Sequence, residues 1–295
     1  MKLIISDKEK LFNKDNIYIG SWCIKNNLLF NKNYSKFNIL QYHWDNKKKI
    51  DKDLKYLLNL HETYLNLFQR ILNKQFKSKF SKKFYTTILT RWIWKFLVFY
   101  YDRWEQVNFA KRNKKIKDCV VYEYDQVKFI PTSTKDYCTH IILQKEWNNW
   151  VFSEIIKEQN FLKKKIKKKK INFTNSNYPK SEFKLKFIIL VNKLLSIFSS
   201  KNFYSQNIYL PKISKIFFMI KNKQFLLSYH TNCHGLIRNG NNINLKLRKK
   251  ILNLKGNSKF TKFLNKQLIY NFPKFFLENF RENIEFLNKL SLPKN

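Results

Sequence analysis

Between residues 53 and 76 the apolar side chains Leu54, Leu57, Leu58, Leu65, Phe68 and Leu72 return every three or four positions, with His61 in the same series. That period predicts an amphipathic helix, and Asp51 or Asp53 suits its N-terminal end, as a cap or through the helix dipole. A second helical pattern covers residues 82–110; its middle is apolar on nearly every side, which predicts burial between other elements. "KEWNNWVFSEIIKEQ", residues 145–159, reads as a third helix. Strand signals are shorter. Ile17, Tyr18 and Ile19 form a β-prone run that stops at Gly20-Ser21, as a strand does where the backbone turns or is closely approached. "CVVYEY" and "THIILQ" are β-prone pieces on either side of a polar break at Pro131-Thr132-Ser133.

The pattern then loosens. Residues 163–170 are lysines around Ile166, and with "NFTNSNYPKS" behind them they predict a flexible insertion over 161–182, either a solvated excursion or a patch for nucleic acid or lipid. Residues 183–200 read as a helix, "NIYLPKISKIFFMIKNKQ" as a strand or helix, "TNCHGLIRNGNN" as a loop, and the last 40 or so residues as helical again. No internal repeat is visible. The expected organisation is an N-terminal α/β region over 1–160, the insertion, and a helical continuation over 183–295.

Composition changes this picture in one respect. With 295 residues, 44% of them hydrophobic, the chain can bury a core. A formal charge of +39 would ordinarily announce a polyanionic partner. Only seven of the 59 basic residues are arginine, however, while Asn, Ile, Phe and Tyr abound and Ala, Gly and Pro are scarce, the signature of A+T-rich coding. The charge therefore carries less information about ligands than its size suggests. The four cysteines are far apart, without metal-ligand or disulfide-framework spacing. The N-terminus lacks an apolar signal-peptide core, and residues 183–200, broken by Lys186 and Lys193, are too short to cross a bilayer. A cytoplasmic protein is expected, with peripheral contact at the inner face of an anionic membrane as an option.

Candidate chemistry is sparse. His43 and Asp45 could form an acid–base pair, although residues two apart rarely bond well; the alternative is a structural turn with Trp44 buried. Asp102 and Arg103 sit near the end of the second helix, where a charge must be paired or solvated, so Arg103 either binds a phosphate or carboxylate or makes a structural ion pair. Trp147 and Asn148 suit sugar recognition, or a helix that packs by its tryptophans. His230, Cys233 and His234 have spacing a metal could use but no fourth ligand, and no metal is expected. With four glycines in the chain, there is no phosphate-cradling loop.

In chain order, "IGSWC", "YHWDNKKKIDKDLKYLLNLHE", "ILNKQF", "FYTTILTRWIWKFLVFYYDRW" and "EWNNWVFSEII" resemble the N-terminal half of a transferase family found in O-antigen and other surface-polysaccharide gene clusters; "YLPKI" and "NFPKFFLENF" resemble its later IPKxYLExF region. The resemblance implies a helix-rich, Rossmann-like α/β domain with a small, mostly parallel sheet, like the N-terminal half of a two-domain glycosyltransferase. It implies an acceptor-side role that takes a glycan or lipid-linked acceptor, with a nucleotide-sugar donor held by a missing C-terminal half; on that reading the chain is a split gene's first product, a degenerate remnant, or a subunit that needs a separately encoded second domain. No cofactor is expected. Carried over to this chain, it picks out His43, Asp45, Asp102 and Arg103 as catalytic, and Gly20, Trp22, Cys23, Tyr42, Trp44, Trp147 and Asn148 as substrate-binding. The family's histidine after Leu-Asn is Phe76 here, and its Gly-Pro before Trp92 is Thr90-Arg91. The competing expectation, from charge and aromatic content, is a ribosome-associated or RNA-binding protein.

Overall fold

The computed structural model describes residues 1–7, 13, 15–24, 37–168, 211–223 and 243–289, with isolated positions between 187 and 198. Two compact units result: Met1–Asn172 with Asn244–Pro273, and Phe173–Ile243 with Lys274–Asn295. The first unit thus extends past residue 160 and takes in two later helices.

Its centre is a five-stranded, all-parallel sheet: β1 (Lys2–Ile4), β2 (Ile17–Tyr18), β3 (Asn38–Ile39), β4 (Asp118–Glu123) and β5 (Lys163–Lys168), in the order β3-β2-β1-β4-β5. Leu3 stands beside Ile17 on one side and Cys119 on the other. A parallel sheet is covered on both faces, so its strands are apolar runs rather than alternations. Leu3–Ile5, Ile17–Ile19 and Cys119–Tyr122 are accordingly buried throughout. The chain steps outward from β1 to β3 and then returns to the far side of β1 for β4. In open α/β sheets the crevice at the strands' carboxyl ends, where the order reverses, is where ligands sit.

The helices of this unit are α1 (Lys47–Phe76), α2 (Lys82–Arg112), α3 (Lys145–Gln159), α5 (Leu245–Leu252) and α6 (Lys259–Asn271); α4 (Lys212–Lys221) and α7 (Phe280–Lys289) belong to the second unit. Helix α1 begins six residues ahead of its apolar period because Asn46, not Asp51 or Asp53, is the cap; its side chain accepts the Lys49 N–H at 3.2 Å. The stripe is buried only at Leu57, Leu65, Phe68 and Leu72, while Leu54 and Leu58 near the start face solvent. Helix α2 is the pivot, packed against α1, α3 and α6. There the C-terminal end of α6 enters an aromatic core: the Asn271 backbone carbonyl accepts the Trp92 indole N–H at 3.0 Å, and its side chain accepts from Trp147 and donates to the Tyr100 hydroxyl. Arg248 of α5, fully buried, donates to the Ile269 and Phe272 carbonyls at the same helix end, where the dipole favours a cation.

Two local expectations fail, and one strand was not foreseen. "THIILQ" is helical, not a strand: Ser133 caps a short helix at Thr134–Asp136 that runs into a π turn at Tyr137–Ile141, and the Asp136 carboxylate ties back to Thr132, so local caps override β propensity. Lys163–Lys168 is no flexible excursion but β5, in register with β4 over its whole length; lysines are well tolerated on an edge strand because the ladder uses only backbone. β1, at the heart of the sheet, was hidden in a run of three residues. Most of 183–200, and the loop with His230, Cys233 and His234, lie outside the described residues. No helix among the described residues is long and apolar enough to cross a membrane.

Asp53 fastens the start of α1. Its carboxylate accepts the Trp44 indole N–H at 2.9 Å, the Lys49 ammonium at 2.7 Å and the Tyr101 hydroxyl at 2.9 Å, linking the preceding loop to α2. Burial pushes its pKa up, but the donors from Lys49, Trp44 and Tyr101 outweigh this and hold it below the usual carboxylate range. A depressed folded-state pKa gives stability that is present above the unfolded value and lost as pH falls through the folded one. Asp53→Asn is therefore expected to cost about 2–3 kcal/mol at neutral pH, with the gap to wild type closing below about pH 4. Urea unfolding across pH checks this; a gap independent of pH would count against it.

Candidate functional site

Four residues of α2 fall at a helical spacing on one face. Phe99, Asp102, Arg103 and Gln106 occupy positions i, i+3, i+4 and i+7, and all line a cleft of about 610 Å³ at the carboxyl ends of β2 and β3. Opposite them lie the turn after β2, carrying Gly20 and Trp22, and the N-terminal turn of α3, carrying Asn148. Gln106 seats α2 there: its amide donates to the Ile19 carbonyl at 3.0 Å and the Gln41 carbonyl at 3.2 Å, and its oxygen accepts the His43 N–H at 3.2 Å. One side chain thus satisfies the loose backbone ends of two strands.

Gly20 has an extended backbone, so its requirement is steric, not conformational. A Cβ there would lie 2.1–2.5 Å from three atoms of the Trp22 ring, which folds back across it. The ring stacks on Phe152 of α3 yet remains 43% exposed, an aromatic surface at the cleft wall.

Asp102 is the centre of the polar network. Its Oδ1 accepts the Tyr42 hydroxyl at 2.6 Å and lies 3.1 Å from His43 Nε2, while Oδ2 accepts Arg103 Nη1 at 2.6 Å. Burial works to raise its pKa, yet the His43 hydrogen bond, the Arg103 charge and the Tyr42 hydroxyl together bring it below the ordinary value. The carboxylate is thereby kept ionised. The same environment, burial first and then Asp102, keeps the Tyr42 phenol protonated. Because a carboxylate can only accept, His43 Nε2 carries the proton, and Nδ1 is left as a buried nitrogen with no partner in the structure. Arg103 is held from three sides: by Asp102, by Asn148 Oδ1 at 3.1 Å from Nε, and by the Phe99 ring, 4.8 Å beneath the guanidinium. Two of its five N–H bonds go to these partners, and three remain for a ligand.

Among the residues singled out from sequence, Gly20, Trp22, Tyr42, Asp102, Arg103 and Asn148 meet in this cleft. His43 does not line it; its buried ring stands behind Asp102 and borders a smaller pocket of about 260 Å³ with Asn46, Lys49, Glu105 and Arg112. The carboxylate partner of His43 is Asp102, 59 residues away, and not Asp45, which is exposed at the turn. Trp44 packs on Tyr101 and bonds Asp53. Trp147 is fully buried against Tyr100 and Asn271, in the core and not in the cleft wall. Cys23 is buried, and burial first, offset in part by a backbone hydrogen bond, pushes its thiol up to about 12, which leaves it unreactive. Gln106 and Lys49 escaped attention in the sequence. Lys49 bridges Asp53 and Glu105 at 2.7 Å each and locks α1 to α2 beside the site. For Gln106 the signal was available: a polar residue four positions after Asp102, on the same face of the helix.

No curated protein and no solved structure matches the chain. A family model described as LIC12162 family transferase matches residues 1–295. The match spans both the motifs that converge on the cleft and the later helices, and on it the chain belongs to the LIC12162 transferase family.

Proposed function

We propose that this transferase moves a glycosyl group in the assembly of a surface polysaccharide, with the acceptor seated in the cleft at the ends of β2 and β3. The observation that supports it is Asp102, an ionised carboxylate in the cleft wall, fixed by three donors and standing beside an arginine with N–H bonds to spare. A nucleotide sugar is the donor in this scheme. As the acceptor oxygen bonds to the anomeric carbon, the bond from that carbon to the leaving phosphate breaks, and the hydroxyl proton must be taken up. Asp102 offers the remaining lone pair of its carboxylate. Held below its usual pKa it is a weak base, so it orients the hydroxyl and receives the proton late, once the oxygen is already partly bonded and acidic. His43 and Tyr42 are positioning residues that act through Asp102. Arg103 grips a phosphate or carboxylate on the acceptor with its planar fork, and Trp22 gives a sugar ring a face to stack on.

Two outcomes follow. Arg103→Lys keeps the charge but loses the fork; binding of sugar phosphates and uronic acids should weaken at least about tenfold, with neutral sugars little affected, by isothermal titration calorimetry. Unchanged binding of the anionic sugars would remove Arg103 from the site. Asp102→Asn is expected to lower turnover about a hundredfold in transfer assays with nucleotide sugars. His43→Ala should cost less, and should move the acid limb of the pH–rate profile to higher pH, because losing that donor lets the Asp102 pKa rise. An acid limb that stays in place would show that His43 does not act through Asp102.

A further inference from the structure

Helix α4 carries Ile213, Ile216, Phe217 and Ile220 at positions i, i+3, i+4 and i+7, a single stripe along one face. A stripe with this period is normally turned into a core. Here the four side chains are 71, 56, 69 and 57% exposed. In the same unit Phe187, Leu190, Leu194, Ile197 and Phe198 repeat the period and are also exposed. Nine large apolar side chains open to solvent in one segment exceed the scatter of single apolar residues found on ordinary surfaces.

Charge specifies what covers the stripe. The rest of α4 includes Lys212, Lys215 and Lys221 and no acidic residue. Residues 183–277 contain no Asp or Glu, although the chain has 20, of which 16 fall in residues 1–158. A+T-rich coding enriches lysine everywhere, but it does not strip carboxylates from one segment while leaving them in another. Nucleic acid would satisfy the lysines and leave the apolar stripe in water. A second copy would bury the stripe but bring two like-charged faces together. An anionic bilayer surface satisfies both, since an amphipathic helix of this composition lies in the interface with its apolar face among the acyl chains and its lysines at the headgroups.

We propose that α4 docks the protein on an anionic phospholipid surface through Ile213, Ile216, Phe217 and Ile220, with Lys215 and Lys221 at the headgroups. The test is co-sedimentation of the full chain with vesicles of phosphatidylcholine alone and with about 30% phosphatidylglycerol added. Binding is expected to the anionic vesicles only, falling at least about tenfold when salt rises from about 0.1 to about 0.5 M. The double variant Ile216→Asp/Phe217→Asp, and separately Lys215→Glu/Lys221→Glu, should each reduce it by a similar factor; Ile216, Phe217 and Lys221 are exposed and Lys215 half-buried, so the melting temperature should stay close to the wild-type value. The proposal fails if vesicles do not retain the wild type, or if neither variant weakens retention. It fails equally if the apolar stripe instead holds a dimer that Ile216→Asp/Phe217→Asp dissociates, or if the lysines retain RNA in place of vesicles.

Discussion

Everything at the cleft depends on the neutralisation of one buried carboxylate. An ionised Asp102 in a protein interior is tolerable only if its lone pairs are occupied, and a lost donor costs more than the bond itself because the charge is left behind. Its three donors come from two places: Arg103 from its own helix, Tyr42 and His43 from the loop that ends β3. The carboxylate thus fixes the loop relative to α2 and, through Arg103, draws in Asn148 of α3. Sheet, hairpin and third helix are joined at a single charge.

The hairpin of α1 and α2 is what delivers that charge. A helix of 30 residues leaves the sheet and one of 31 returns, so that the end of the second comes back beside the start of the first. Lys49 against Glu105 and Asp53 against Tyr101 hold that register. The aromatic core around Trp92, Tyr100 and Trp147, closed by Asn271, sets the middle of α2 against its neighbours. Packing places the helix, and the polar pairs choose its register.

Much of this was legible in the chain. The middle of residues 82–110 was apolar on nearly every side because α2 is packed against α1, α3 and α6, and Lys145–Gln159 had the limits its pattern gave it. β1 and β5 were not legible: one is three apolar residues with no alternation to mark them, the other a lysine run paired through backbone that leaves no trace in side-chain character. At the site, "YHWD" and "DRW" were each visible, but their meeting was not. Proximity in sequence favoured Asp45 for His43, whereas the partner lies on the far arm of a hairpin whose turn is the only local sign of it. Trp147 shows the converse error, since residue type alone cannot separate an aromatic that stacks on a ligand from one that fills a core.

The direct test of Asp102 as the point where these elements join is a double-mutant cycle on unfolding free energy, with His43→Ala, Arg103→Ala and the pair. If both side chains act through the same buried carboxylate, the double variant should be less stable than the sum of the singles by at least about 1 kcal/mol. Losses that add within about 0.3 kcal/mol would mean that His43 and Arg103 are independent, and the site would have no such centre.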